Sequence, residues 1–275
     1  SGIMAAVSTA AFIDSHREDT DSELARALVE TAGGLALSMR DEGLDTGQKT
    51  SVSDVVTNAD MAAEEFVAGV LEALRPEDGI VGEEGAAKAS QSGRTWVIDP
   101  VDGTYNFASG SDYFCSALAL VEGDVSNPAH ILTSAIHRPA LATTWIADNG
   151  TATRNGRELE QLADAPLPHL ALATYLHPTS MTNEAIRGAW LSAANHAATV
   201  RMFGAGSIDL ATVASGGIGG WLQHSVADWD WLPGKALVEA AGGKAVKADA
   251  GGVTWCVAGN RQLVDDVLAK LEQHG

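Results

Sequence analysis

The stretch Trp96-Val97-Ile98-Asp99-Pro100-Val101-Asp102-Gly103-Thr104-Tyr105-Asn106-Phe107 constrains this chain more than any other. Three apolar residues predict a short buried strand that ends on an acid. Pro100 has no N–H to give a sheet, so the ladder is expected to stop there. A turn at Pro100 can bring Asp99 and Asp102 to one point, with the Val101 carbonyl between them. Hard cations such as Mg²⁺ favour such an all-oxygen set and retain some water as further ligands. Gly103 lets the backbone approach a ligand closely. A helix starting there would aim its free N–H groups at an anion, so a phosphate can bridge between cations and helix start.

Two more acidic segments point the same way. Ile80-Val81-Gly82-Glu83-Glu84-Gly85 reads as a strand ending in paired glutamates, and Ala227-Asp228-Trp229-Asp230-Trp231-Leu232-Pro233-Gly234 places acids just before a helix. Singly, each is an ordinary turn or helix cap. Together they supply the ligands two adjacent metals need.

The charge balance agrees. Thirty-six Asp and Glu against 17 Lys and Arg give a formal charge of -19 in 275 residues. Such a surface repels nucleic acids and anionic membranes, and repels a phosphate ester too unless bound cations reverse the local field. No apolar run is long enough to cross a bilayer. The segment after Met4 lacks the basic start of a secretion signal, so a cytoplasmic location is expected, and Ser1 to Ile3 are read as an added tag. Cys115 and Cys256 sit in apolar runs and are expected as reduced core residues, and the eight histidines show no zinc spacing.

Helical spacing predicts helices over 21–40, capped by Asp21 or Ser22, and over 60–74. Strands are expected at 80–81, 95–98, 115–121, 131–136, 143–147 and 169–174. The second half alternates: helix 182–197, strand 199–203, helix 207–215, strand 219–223, helix 232–241, strand 253–257 and helix 261–273. An α+β half over 4–155 is expected to carry most metal ligands. An α/β half over 156–275 would carry the substrate pocket and the last ligand.

Four strings in order resemble the inositol monophosphatase family of lithium-sensitive, magnesium-dependent phosphatases. They are Lys49 through Asp60, Gly82-Glu83-Glu84, Asp99-Pro100-Val101-Asp102-Gly103-Thr104, and Trp229-Asp230 with Pro233-Gly234 and Glu239 to Gly243. The resemblance implies an α+β fold, a layered αβαβα sandwich of the inositol monophosphatase and fructose-1,6-bisphosphatase type, usually as a homodimer. It implies two or three Mg²⁺ per subunit. Glu83, Asp99 and the Val101 carbonyl match ligands of one, and Asp99, Asp102 and Asp230 those of a second. Asp60 and Thr104 match a polar pair beside the attacking water, which Glu83 and Thr104 orient. The Gly103 and Thr104 amides match a phosphate cradle, and Lys49 a lysine on a nearby loop where a third, weaker metal binds. Glu84 matches a neighbour that is not a ligand.

Gly204, Ala205 and Gly206 match the substrate pocket. Ala205 stands where inositol-type members have Ser or Thr, and Gln223 where they carry a glutamate. The expected substrate is a small phosphorylated metabolite, inositol 1-phosphate first and histidinol phosphate as the alternative, with Asp209 or Asp228 offered to an amine. Sugar bisphosphates and adenosine 3′,5′-bisphosphate rank lower because the chain shows no basic cluster for a second phosphate. A silent metal-binding relative is a further alternative.

Overall fold

The computed structural model describes residues 2–45 and 52–274. Helices α1 (Gly2–Ser15), α2 (Asp21–Asp45) and α3 (Val52–Leu74) come first. Strands β1 (Gly79–Gly82), β2 (Ala87–Lys88) and β3 (Arg94–Asp102) follow, then the short helix α4 (Thr104–Ala108). Next are β4 (Cys115–Glu122), β5 (His130–Arg138), β6 (Thr143–Asp148), β7 (Thr151–Arg154) and β8 (Arg157–Glu158). The rest of the chain forms β9 (Ala171–Tyr175), α5 (Pro178–Met181), α6 (Glu184–Ala194), β10 (Thr199–Arg201), α7 (Gly206–Ala214) and β11 (Gly220–His224). It ends with α8 (Asp228–Ala240), β12 (Lys244–Ala250), β13 (Val253–Gly259) and α9 (Arg261–His274).

Among the described residues, eight strands form one sheet in the order β2-β1-β3-β4-β5-β6-β7-β8, and five form another in the order β10-β9-β11-β13-β12. The first sheet runs through Glu158, so a division at 155/156 falls within the β7–β8 hairpin. Strand β4 shows how the layers arise. Cys115 to Val121 are all buried, so both faces of the strand must be covered. Leu118 and Leu120 face a core with Leu24, Leu28, Val67 and Leu71 of α2 and α3. The alternating residues Cys115, Ala117, Ala119 and Val121 face a core with Ile208, Leu210, Leu232 and Leu237 of α7 and α8. Trp221 and Cys256 of the second sheet enter that middle core too. On the sheet's other face Leu222, Trp255 and Val257 pack against Ala189 and Val264 of α6 and α9. The chain is therefore an αβαβα sandwich.

Two local expectations are corrected. Thr20, not Asp21 or Ser22, caps α2: its hydroxyl accepts from the Glu23 amide at 3.3 Å while the Glu23 carboxylate accepts from the Thr20 amide at 3.1 Å. Asp21 instead bonds Arg75 and Arg94, and these two contacts hold its carboxyl below the usual range against the opposing effect of burial. Pro100 does not end its strand either. β3 continues to Asp102 through a register shift between Asp99 and Asp102, so Pro100 sits in a bulge where no ladder N–H is required. Its carbonyl accepts from the Ser116 hydroxyl, which satisfies the remaining backbone group there.

Candidate functional site: a buried acid cage

The parallel pairing of β1 with β3 sets Gly82 opposite Ile98, so Glu83 and Asp99 leave their strands at the same end. The Glu83 amide donates to the Ile98 carbonyl at 3.1 Å and continues this alignment by one residue. The β3 bulge then turns Asp102 back toward Asp99. Helix α8 brings Asp230 in its first turn, starting at Asp228 rather than at the expected Leu232. Carboxylate oxygens of Asp99, Asp102 and Asp230 lie within 4.8 Å of one another. Glu83 stands near enough to Asp99 for its charge to act on that carboxylate.

Electrostatically this is an uncompensated cage. Asp99 is buried, and neither of its carboxylate oxygens meets a hydrogen-bond donor. Burial, then the adjacent Asp230 and Glu83 charges, push its pKa well up. Asp102 is raised by burial and by Asp230, although the Ser207 amide donates to its Oδ2 at 2.6 Å. Glu83 is raised by burial, with Asp230 and Glu84 adding to it. A carboxylate held without a donor among other acids fits divalent cations better than it fits any protein group in reach.

Asp60 approaches from α3. It is buried with Oδ1 unpartnered, and burial followed by the Glu84, Glu83 and Glu64 charges pushes its pKa to about 8. One turn further along α3 lies Glu64, which sequence reasoning passed over. Its two oxygens accept from the Glu84 and Ala86 amides, each at 2.9 Å, and so clamp the turn that presents Glu83. A Cβ at Gly82 would lie 2.5 Å from the Glu64 carboxylate, so glycine is needed for the clamp to close. The i,i+4 spacing of Asp60 and Glu64 on one helical face was the available signal.

Gly103 precedes α4 with φ of 92°, in the left-handed region that favours glycine. A Cβ there would sit 3.0 Å from the Tyr113 carbonyl and from the Ala205 side chain. Thr104 is exposed beside it. The far end of α4 is held by Arg40 of α2, a nearly fully buried cation. Its Nη1 donates to the Phe107 and Ser111 carbonyls at 3.1 and 2.8 Å, and its guanidinium stacks over the Phe107 and Phe114 rings. Arg40→Ala is expected to leave the Ser111 carbonyl without its Arg40 donor and the Phe107 carbonyl with the Gly110 amide, and to destabilise the protein by about 1–3 kcal/mol, with Arg40→Lys recovering part of the loss, read by urea unfolding.

Glu83, Val101, Asp102, Gly103, Thr104 and Asp230 open into a cavity of about 380 Å³ with Gly204, Ala205, Gly206, Asp209 and Gln223 in its wall. That size suits a small molecule. A larger recess of about 620 Å³ beside Lys235 and Glu239 contains none of the cage acids. Asp209 accepts from the Tyr113 hydroxyl at 2.6 Å, and burial raises its pKa to about 7 against the lowering effects of Tyr113 and Trp221. The Trp221 indole is near Asp209 but makes no well-formed hydrogen bond. Asp228 does not line this cavity. Lys49 lies outside the described residues. Cys115 and Cys256 are free and buried.

Comparison with known proteins agrees with this geometry. The family model described as inositol monophosphatase family matches residues 17–274. Inositol-1-monophosphatase of Rhizobium meliloti is 32% identical over 73% of this chain and 74% of its own length. Histidinol-phosphatase of Mycobacterium tuberculosis is 30% identical over 78% of this chain and 84% of its own. Among solved structures, inositol monophosphatase II of Staphylococcus aureus superposes with a TM-score of 0.78 at 22% identity, covering 91% of this chain and 95% of that one. SuhB of Mycobacterium tuberculosis gives 0.76 at 25% identity, covering 92% and 96%. With the family model spanning nearly the whole sequence, this chain belongs to the inositol monophosphatase family of phosphoric monoester hydrolases.

Proposed function

We propose that this chain is a Mg²⁺-dependent phosphomonoesterase acting on a small alcohol phosphate by direct attack of water. The observation that carries this reading is Asp99, a buried carboxylate with no donor, flanked by Asp102, Asp230 and Glu83. In it, Glu83, Asp99, Asp102, Asp230 and the Val101 carbonyl would hold two Mg²⁺, and the family resemblance adds a third, weaker one and assigns Lys49 to it. Bound cations supply positive charge that neutralises the phosphoryl oxygens and eases the ionisation of water. Glu83 and Thr104 orient the water, and the Asp60 carboxylate beside Thr104 accepts its proton. The Gly103 and Thr104 amides hold the phosphoryl oxygens. The water oxygen bonds to phosphorus as the ester P–O bond breaks, and the departing alcohol takes up a proton. Positioning and charge neutralisation suffice, as is general for phosphoryl transfer.

Inositol 1-phosphate is the first reading of the substrate, with Gly204, Ala205, Gly206 and Gln223 around its ring, and relatives named inositol-1-monophosphatase support it. Histidinol phosphate is the second reading, favoured by Asp209 in the cavity wall, which is an acceptor for an amine. We also propose homodimerisation, lithium inhibition and a division into two halves near residue 155. Among the described residues, no helix is long and apolar enough to cross a membrane.

Phosphate release from inositol 1-phosphate, histidinol phosphate and fructose 1,6-bisphosphate, with and without Mg²⁺ and with added Li⁺, tests the proposal. Mg²⁺-dependent, Li⁺-suppressed release from at least one monoester is expected. Silence toward every ester would leave a metal-binding relative without catalysis.

A further inference from the structure

Ser207, in the first turn of α7, is fully buried, and its hydroxyl meets no hydrogen-bond partner. Serine and threonine in a helix ordinarily return the hydroxyl to a carbonyl three or four residues back. The same helix shows that habit twice. Thr212 donates to the Ile208 carbonyl at 2.7 Å, and Ser215, at the C-terminal end, donates to the Ala211 carbonyl at 2.8 Å. For Ser207 the corresponding carbonyls are those of Gly204 and Phe203, and it bonds neither. A buried hydroxyl without a partner costs stability, so alanine would suit a purely structural position better.

The neighbour of this hydroxyl is Asp102. Ala205 precedes α7 and has no side chain that could cap it. Asp102 does so from β3, accepting the Ser207 amide on Oδ2 at 2.6 Å. The Ser207 hydroxyl stands beside the same carboxylate. Burial and then the Asp230 charge disfavour the ionised form of Asp102, and the Ser207 amide and hydroxyl both oppose them. The Cys115 thiol, 3.9 Å from Oδ2, is a weak donor and a poor substitute. A carboxylate tied to α7 through Oδ2 can still offer its other oxygen to a cation shared with Asp99 and Asp230. With a cation bound, Asp102 stays ionised, and an ionised carboxylate is the strong acceptor that the hydroxyl lacks.

We infer that Ser207 is a positioning residue of the metal centre: its hydroxyl, together with its amide, holds the Asp102 carboxylate turned toward the cation. This rests on the Mg²⁺ reading above and adds to it a residue outside the ligand set.

The test titrates Mg²⁺ alone, by calorimetry, into the full chain and its Ser207→Ala and Ser207→Cys variants, with thermal unfolding in EDTA alongside. Losing such an outer hydrogen bond weakens metal binding by roughly 10–100-fold, so Ser207→Ala is expected to raise the Mg²⁺ Kd by about 10-fold. Ser207→Cys keeps the size but donates weakly, and should weaken Mg²⁺ as alanine does. Without metal, Ser207→Ala should melt no earlier than the unaltered chain, because it removes an unpartnered hydroxyl. In turnover, the Mg²⁺ concentration for half-maximal rate should rise in step with Kd, while the ester KM at saturating Mg²⁺ stays within about 2-fold. An unchanged Kd in Ser207→Ala, or a Kd raised only together with earlier unfolding in EDTA, would overturn the inference and leave the metal centre standing. Full Mg²⁺ affinity in Ser207→Cys would overturn it too, by showing that size and not donation matters. No Mg²⁺ bound by the unaltered chain would remove the metal reading and this inference with it.

Discussion

Asp99→Asn is expected to abolish turnover, by on the order of 10³-fold or more, while making the metal-free protein more stable. The opposite signs follow from one fact. Asp99 is buried with both oxygens lacking donors and with Asp230 and Glu83 against it. Without cations that carboxylate is a liability, because a buried unpaired charge costs several kcal/mol or must take up a proton. Asparagine removes the charge at nearly equal volume, and its amide can donate to the neighbouring acids. The same change removes the negative charge and one of the two oxygens of the central ligand, so Mg²⁺ affinity collapses and activity goes with it. Thermal unfolding in EDTA, beside phosphate release in Mg²⁺, reads both effects. A variant that loses activity and also unfolds earlier without metal would show Asp99 to be structural. Wild-type turnover would remove the proposed centre.

The second large effect couples Mg²⁺ to pH. Asp60, Glu83, Asp99 and Asp102 all have pKa values raised in the fold, Asp60 to about 8. An acid raised in the folded state binds more protons there than in the unfolded chain. Its contribution to stability is complete below its ordinary carboxylate pKa and is lost as pH rises through the raised value. Metal-free protein should therefore lose stability steadily from about pH 5 toward the Asp60 value of about 8. Mg²⁺ replaces the lost protons, so its stabilisation should be small at the acid end and large at the alkaline end. At 100-fold excess over Kd the gain is about 2.7 kcal/mol. Melting temperatures across this range, in EDTA and in Mg²⁺, should diverge as pH rises. Parallel curves would mean that these acids do not face a common cation.

The acid cage was legible because its members stand at strand and helix ends that announce themselves. Asp99 follows three apolar residues, Glu83 follows a Val-Gly step, and Asp230 precedes Pro233. Less legible was what holds them. Glu64 and Arg40 look like ordinary charges within amphipathic helices, and only packing reveals that one clamps the Glu83 turn and the other the end of α4. The bulge at Pro100 escaped for a related reason: a proline that breaks a ladder and a proline inside a bulge look the same in sequence. Strand β12 was missed because Lys244, Lys247 and Asp249 interrupt its apolar residues. It is an edge strand of the second sheet, where such charges discourage pairing with a foreign chain.

The contact between α7 and α8 sets the scale of the whole centre. A Cβ on Gly234 would lie 2.4 Å from the Leu210 side chain, so Leu210 of α7 sits directly on the α8 backbone. Helix α7 is tied to Asp102 through the Ser207 amide, and α8 carries Asp230. The gap between those two acids is thus gauged by a hydrogen atom a full helical turn away. Any bulkier group at that point would act as a shim, spreading the jaws toward larger, softer-fitting ions without altering a single residue that grips them.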